Sequence, residues 1–184
     1  MLTTPVSVPE LRPGFAAEPK WDGFRALVSV DAGQVVLRSR RGTEMGPSFP
    51  EVVAGAVQLP DATAMDGELV VWDAAGRLAF ERLQNRLARR GAGAARAAPE
   101  WPAHFVAFDL LRLSGTDTTR WPYLRRRAAL ANSTCRTASG PGRCTQDHPA
   151  PSQGHWSPRS ESWLRITLFA FHYLPTAADR GFHE

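Results

Sequence analysis

Lysine is nearly missing from this 184-residue chain: Lys20 is the single one, and the other 21 of its 22 basic side chains are arginine. Arginine keeps its proton at any ordinary pH, whereas a lysine in a site that disfavours its charge loses its proton near neutrality and becomes a nucleophile. Any amine chemistry in the chain therefore falls to Lys20 or the N-terminus. Cysteine is almost as scarce. The two present, Cys135 and Cys144, lie outside the well-patterned part of the sequence and imply no disulfide framework. With His148 and His155 they also fit none of the paired spacings of zinc sites. Long apolar runs are lacking too. The longest near the end, Ile166 to Leu174, contains His172 and falls short of the ~20 residues needed to span a bilayer. Met1 to Pro13 has no charged segment leading into an apolar one, so no secretory signal is visible, and a cytoplasmic location is expected.

What is there has the composition of a soluble globular protein, with 43% hydrophobic and 22% charged residues. A net charge of +4 permits a polyanionic partner such as nucleic acid without demanding one. The texture changes at about Ala131. Residues 1–130 read as one patterned domain, whereas 131–184 read as a tail whose stretch Asn132 to Pro158 is crowded with Ser, Thr, Pro and Gly and has neither helical nor strand period.

Within the domain, Phe24 to Val30 and Gln34 to Arg40 alternate like strands around Asp31-Ala32-Gly33, which predicts a β-hairpin with Arg25 and Leu27 on one face and Ala26 and Val28 on the other. Ser48 followed by Pro50 predicts a capped helix ending before Pro60. Ala64 to Trp72 reads as a strand that starts with two carboxylates, and His104 to Leu111 as another. Glu81 to Arg90 reads as a helix whose Arg82 and Arg86 share a face, either solvated or set against phosphate. Gly91 to Pro99 reads as a Gly/Ala linker, and Arg125-Arg126-Arg127-Ala128-Ala129-Leu130 begins a further helix.

Three short constellations fall on these strands: Glu18-Pro19-Lys20-Trp21-Asp22-Gly23-Phe24-Arg25, Ser39-Arg40-Arg41-Gly42, and Asp66-Gly67-Glu68-Leu69-Val70. Each joins a charge to a glycine, and together they supply what a nucleotide requires: a nucleophile, cations for phosphate, and a carboxylate for ribose or metal.

In these motifs, residues Ala17 to about Leu130 resemble the adenylation domain of the ATP-dependent DNA ligases, within the lysine nucleotidyltransferase superfamily. The resemblance implies an α+β fold of antiparallel β-sheets flanked by helices, ATP-grasp-like. It implies an enzyme that uses ATP and Mg²⁺ to form a lysyl-AMP intermediate and acts on nicked duplex DNA in repair or recombination, as a monomer. By the same resemblance Lys20 attacks the α-phosphate, Glu18 lies beside adenine, and Arg25 lies beside ribose and the sugar-phosphate. Arg40 is the second arginine, Glu68 contacts ribose or metal, and Phe108 in Phe-Val-Ala-Phe-Asp-Leu-Leu stacks on adenine. The arginine run at Arg125 resembles an arginine-rich helix of the family.

The family continues with a Glu-Gly motif ending in lysine, a motif carrying two further lysines, and an OB-fold. The chain has no further lysine for these motifs, and no OB-fold is expected in it. The tail is therefore expected to be a shifted frame or truncation product of low local order. Within the superfamily an RNA ligase or capping guanylyltransferase is the alternative, and outside catalysis a nucleotide- or DNA-binding remnant. Phe49-Pro50-Glu51 and Asp-Gly-Glu-Leu-Val-Val-Trp favour the DNA ligase branch.

Overall fold

The computed structural model describes residues 20–137 and the short strand Ile166–Thr167, without the side chains of 134–137 and of that strand. Backbone contacts divide the chain into two units, residues 1–20 with 171–184 and residues 21–170. Of the first unit only Lys20 is described, and it is exposed.

The second unit is organised by one sheet. Strands β1 (Phe24–Asp31), β2 (Gln34–Ser39), β3 (Thr63–Val71), β4 (Ala103–Leu113) and β5 (Thr116–Asp117) lie in the order β2-β1-β3-β4-β5, all antiparallel, and β6 (Ile166–Thr167) adds to β4 in parallel. The hairpin β1–β2 forms as the sequence predicts. Its two-residue turn places both Ala32 (φ 49°) and Gly33 (φ 73°) in the left-handed region, the geometry that matches the right-handed twist of the flanking strands.

Alternation then sorts the side chains. Ala26, Val28, Leu37, Met65, Leu69, Phe105, Ala107 and Leu110 face the core. There they meet Phe49 and residues of three helices: Val52 and Ala56 of α1 (Pro50–Ala56), Leu83 of α2 (Phe80–Leu87) and Leu130 of α4 (Tyr123–Thr137). Helix α3 (Gly91–Glu100) packs on α1. The fold is α+β, with an antiparallel sheet carrying its helices, as expected.

Several local expectations are corrected. Ser48 does not cap α1. It lies in a 3₁₀ turn, and its hydroxyl donates to the Leu87 carbonyl (2.8 Å), so α1 starts at Pro50 with Phe49 at its N-cap and no side-chain cap. Helix α2 stops at Leu87 rather than Arg90 because the Arg90 guanidinium folds back onto the Leu87 carbonyl (2.7 Å). Residues Gly91 to Pro99 are helical and not a linker, since alanine, the strongest helix former, outnumbers glycine there and Ala94 and Ala97 are buried. Arg86 is neither solvated nor available to phosphate, being 1% exposed and ion-paired with Glu51 (2.8 Å).

Helix α4 runs through the change of texture at Ala131 to Thr137. The remaining expectations for the tail, together with Glu18, Cys144, His148 and His155, lie outside the described residues. Among the described residues no helix is long and apolar enough to cross a membrane, and no group of three potential metal ligands gathers.

Candidate active site

The face of the sheet turned away from the core carries the charges. Arg25 of β1 stands opposite Glu68 of β3, and Asp66 follows two residues from Glu68 on the same face. Arg25 donates to Asp66 through Nε (3.2 Å) and Nη2 (2.6 Å), a two-point ion pair in which Arg25 remains half exposed. The Asp66 hydrogen bonds and then its charge hold the guanidinium above its ordinary pKa, with a smaller upward push from Glu68 and a downward one from burial.

Phe108 joins them at a defect in the ladder. Gly67 pairs with Ala107 but Asp66 pairs with Asp109, so Phe108 is the extra residue of a β-bulge. Alternation from Ala107 already turns Phe108 away from the core; the bulge then keeps Asp109 on that outer face beside it and returns Leu110 to the core. The Phe108 ring lies 5.4 Å from Arg25 Cζ, within cation–π range. Three residues from three separate motifs thus share one surface.

The glycines of the motifs do something other than admit a ligand. A Cβ at Gly67 would meet the Phe105 ring and the Val106 carbonyl at 2.5 Å, and one at Gly23 would meet the Leu69 carbonyl at 2.1 Å. Both let protein approach protein. The close approach at Gly23 allows its N–H to donate to Glu68 Oε1 (3.2 Å), which ties the lysine motif to β3. Trp21 is held as well, edge-on against Trp72 at 6.3 Å, and Trp72 in turn meets the His104 ring at 4.7 Å. Gly42 is needed for conformation alone, with φ at 83° in the turn that closes on Ser39.

The structure therefore brings Arg25, Glu68 and Phe108 together. Arg40 sits just past β2 in the turn Ser39–Gly42, exposed and without a hydrogen bond or ion pair to any described residue. Lys20 is exposed, and Glu18 is outside the described residues. The sequence reading missed Asp66 as the partner of Arg25, although the alternation that pairs Glu68 with Arg25 also places Asp66 on that face. It also missed that Asp109 is gripped by Arg126 of α4, a pairing hidden inside a run of three arginines.

A helix-backed antiparallel sheet, with a charged and aromatic opposite face led into by Lys-x-Asp-Gly-x-Arg, is the form of a nucleotidyltransferase domain. The chain belongs to the ATP dependent DNA ligase domain family, whose profile matches residues 3–146. It is 46% identical to DNA ligase C2 of Mycolicibacterium smegmatis over 125 residues, 67% of this chain and 35% of that protein. It is 40% identical to DNA ligase C of Mycobacterium tuberculosis over 147 residues, 79% of this chain and 40% of that protein. Among solved structures, the ligase domain of Mycobacterium tuberculosis LigD matches with a TM-score of 0.53 and 35% identity, covering 66% of this chain and 37% of that one. The chain thus spans two fifths or less of the length of these relatives.

Proposed function

We propose that this chain charges Lys20 with AMP from ATP, the step that opens the sealing of nicks in duplex DNA during repair. The observation that carries the reading is the meeting of Arg25, Glu68 and Phe108 on one sheet face, in a strand that the chain's one lysine leads into. The neutral Lys20 amine attacks the α-phosphorus and gives up a proton. The bond from that phosphorus to the bridging oxygen breaks, pyrophosphate leaves with the electron pair, and AMP stays on the amine. Phe108 lies against the adenine with Glu18 beside it, Arg25 lies along the ribose and sugar-phosphate, Arg40 supplies further positive charge, and Glu68 meets the ribose or a metal. AMP then passes to the 5′-phosphate at a nick, and the 3′-hydroxyl displaces it. Relatives named DNA ligase, and LigD proteins named for non-homologous end joining, agree with this role.

Mg²⁺ fits the donor set as a metal shared with substrate. No three ligating side chains gather among the described residues, and Mg²⁺ is commonly held by one or two carboxylates plus substrate phosphates. Glu68 is the residue that would hold it, and bound there it would neutralise charge on the phosphates. The protein acts in the cytoplasm as a monomer. Incubation with labelled ATP or GTP tests the reading: a covalent adduct with ATP, lost in Lys20→Ala, is expected. An adduct with GTP alone would reassign the chain to a capping-type enzyme, and no adduct with either would remove catalysis from it.

A further inference from the structure

The run Arg125-Arg126-Arg127 is more than a basic surface. Arg126 is half-buried and grips Asp109 at two points, Nε to Oδ1 (2.8 Å) and Nη2 to Oδ2 (3.1 Å), while its Nη1 donates to the Trp121 carbonyl (2.7 Å). All three guanidinium nitrogens are engaged, and the Asp109 bonds hold the guanidinium above its ordinary pKa. Arg127 extends Nη1 to the carbonyl of Phe108 itself (3.5 Å). Asp109 adds a local bond, accepting from the Leu110 N–H (2.9 Å). Arg125 takes a different course and stacks on Trp121 at 3.9 Å. Two consecutive arginines of α4 therefore meet the two consecutive residues of the β4 bulge, where Phe108 is the residue left outside the ladder and Asp109 is kept beside it off the core face.

We propose that Arg126 is a positioning residue for nucleotide binding: through its clamp on Asp109 it fixes the bulge that presents Phe108 to the base. A bulge leaves one residue outside the ladder, and a side chain there keeps a fixed direction only if something else over-determines the backbone. The planar, two-point pairing of guanidinium with carboxylate supplies that constraint with more geometric precision than a lysine would. This inference rests on the reading of Phe108 as the surface that stacks on the base.

The test compares Arg126→Gln, Asp109→Asn, Phe108→Ala and the double variant Arg126→Gln/Phe108→Ala in the full chain, by equilibrium binding of ATP. Phe108→Ala is expected to weaken binding about tenfold, the order seen when a base loses an aromatic partner. Arg126→Gln and Asp109→Asn should each reproduce most of that loss, and Arg126→Gln should add nothing further once Phe108 is gone. A role confined to stability would give additive losses in the double variant, and that result, like full ATP affinity in Arg126→Gln, overturns the proposal. Full affinity in Phe108→Ala, or no ATP binding by the parent chain, overturns the site reading and this inference with it. Nuclear magnetic resonance supplies a readout without nucleotide. Arg126→Gln should shift the Phe108 and Asp109 signals while leaving those of Phe105 and Leu69 on the core face. Unmoved Phe108 signals would also overturn the proposal.

Discussion

At the scale of single residues, the site depends on close approach more than on flexibility. Gly67 has the Phe105 ring and the Val106 carbonyl where a methyl would go, and Gly23 has the Leu69 carbonyl. Gly67→Ala must push an aromatic ring of the core aside and part β3 from the Val106 carbonyl of β4, and overpacking of this kind costs roughly 1–3 kcal/mol or more. Gly23→Ala also strikes backbone, but there the segment that must give is the lysine motif, which lifts off β3 and takes its N–H away from Glu68. The two substitutions are therefore expected to separate. Thermal unfolding should show the larger drop for Gly67→Ala, whereas AMP transfer to Lys20 should suffer more in Gly23→Ala relative to its stability loss. Equal ratios would remove the assignment of Gly23 to the site. Much of this region was readable in the sequence, because alternation puts Arg25 on the face opposite Ala26 and Val28 and the motifs name Glu68 and Phe108, while the pairing of Arg25 with Glu68 comes from the register of β1 and β3. The bulge at Phe108 was not readable. A one-residue register shift leaves no trace in a strand whose residues on both faces are apolar, as Phe105, Val106 and Ala107 are.

At the scale of elements, the three short helices are held by a buried ion pair that the sequence disguised as surface. Arg86 binds Glu51 and donates to the carbonyls of Trp101 and Ser48, and Glu51 also accepts from the Ala103 N–H (2.9 Å). The pair so joins the start of α1, the last turn of α2, the end of α3 and the first residue of β4. Periodicity correctly put Arg86 one turn from Arg82, but not which side of that face is covered. The cover comes from α3, a helix that a Gly/Ala composition made look like a linker. Its neighbour Arg82 does stay exposed, over the Trp101 ring at 4.3 Å. Removing one partner of a buried pair strands the other charge and costs about 3–5 kcal/mol. Glu51→Ala is accordingly expected to lower the unfolding free energy by that order in urea titrations. The double replacement Glu51→Leu/Arg86→Met, which takes away both charges and fills the space, should do less harm than Glu51→Ala. If DNA binding is measured against salt, Arg82→Ala should change the slope more than Arg86→Met does, since only an exposed cation releases counterions. A slope change confined to Arg86→Met would contradict its burial.

At the scale of the whole molecule, a chain with 21 arginines and one lysine has ample charge to hold phosphate but one side-chain amine on which AMP could be formed. Its net charge of +4 favours a polyanion, and such attraction is non-specific and fades with salt. Departure of pyrophosphate requires more, namely charges fixed on the leaving group as the bond breaks. The family's later motifs supply lysines for this, and in this chain no second lysine exists to take that part. Arginine is a poor direct replacement where a compact ammonium is called for, because its donors sit in a rigid planar fork. Loss of one preorganised charge contact costs ~10²- to 10³-fold in rate, and losses within one catalytic unit do not simply add. The 184-residue chain on its own is therefore expected to form lysyl-AMP slowly and to seal no nick at a measurable rate. Mass spectrometry after incubation with ATP and Mg²⁺ decides the first point cleanly, because an AMP-amine adduct has only Lys20 and the N-terminus as possible sites. Lys20→Arg should abolish the adduct while preserving charge. The second point is decided on nicked duplex already carrying AMP at the 5′-phosphate, which bypasses the charging step. Sealing of that substrate, together with failure on ATP plus an ordinary nick, would place the defect in holding the triphosphate. Efficient sealing from ATP would instead mean that arginines such as Arg40 and Arg41 hold the leaving group, and the argument from lysine would fall.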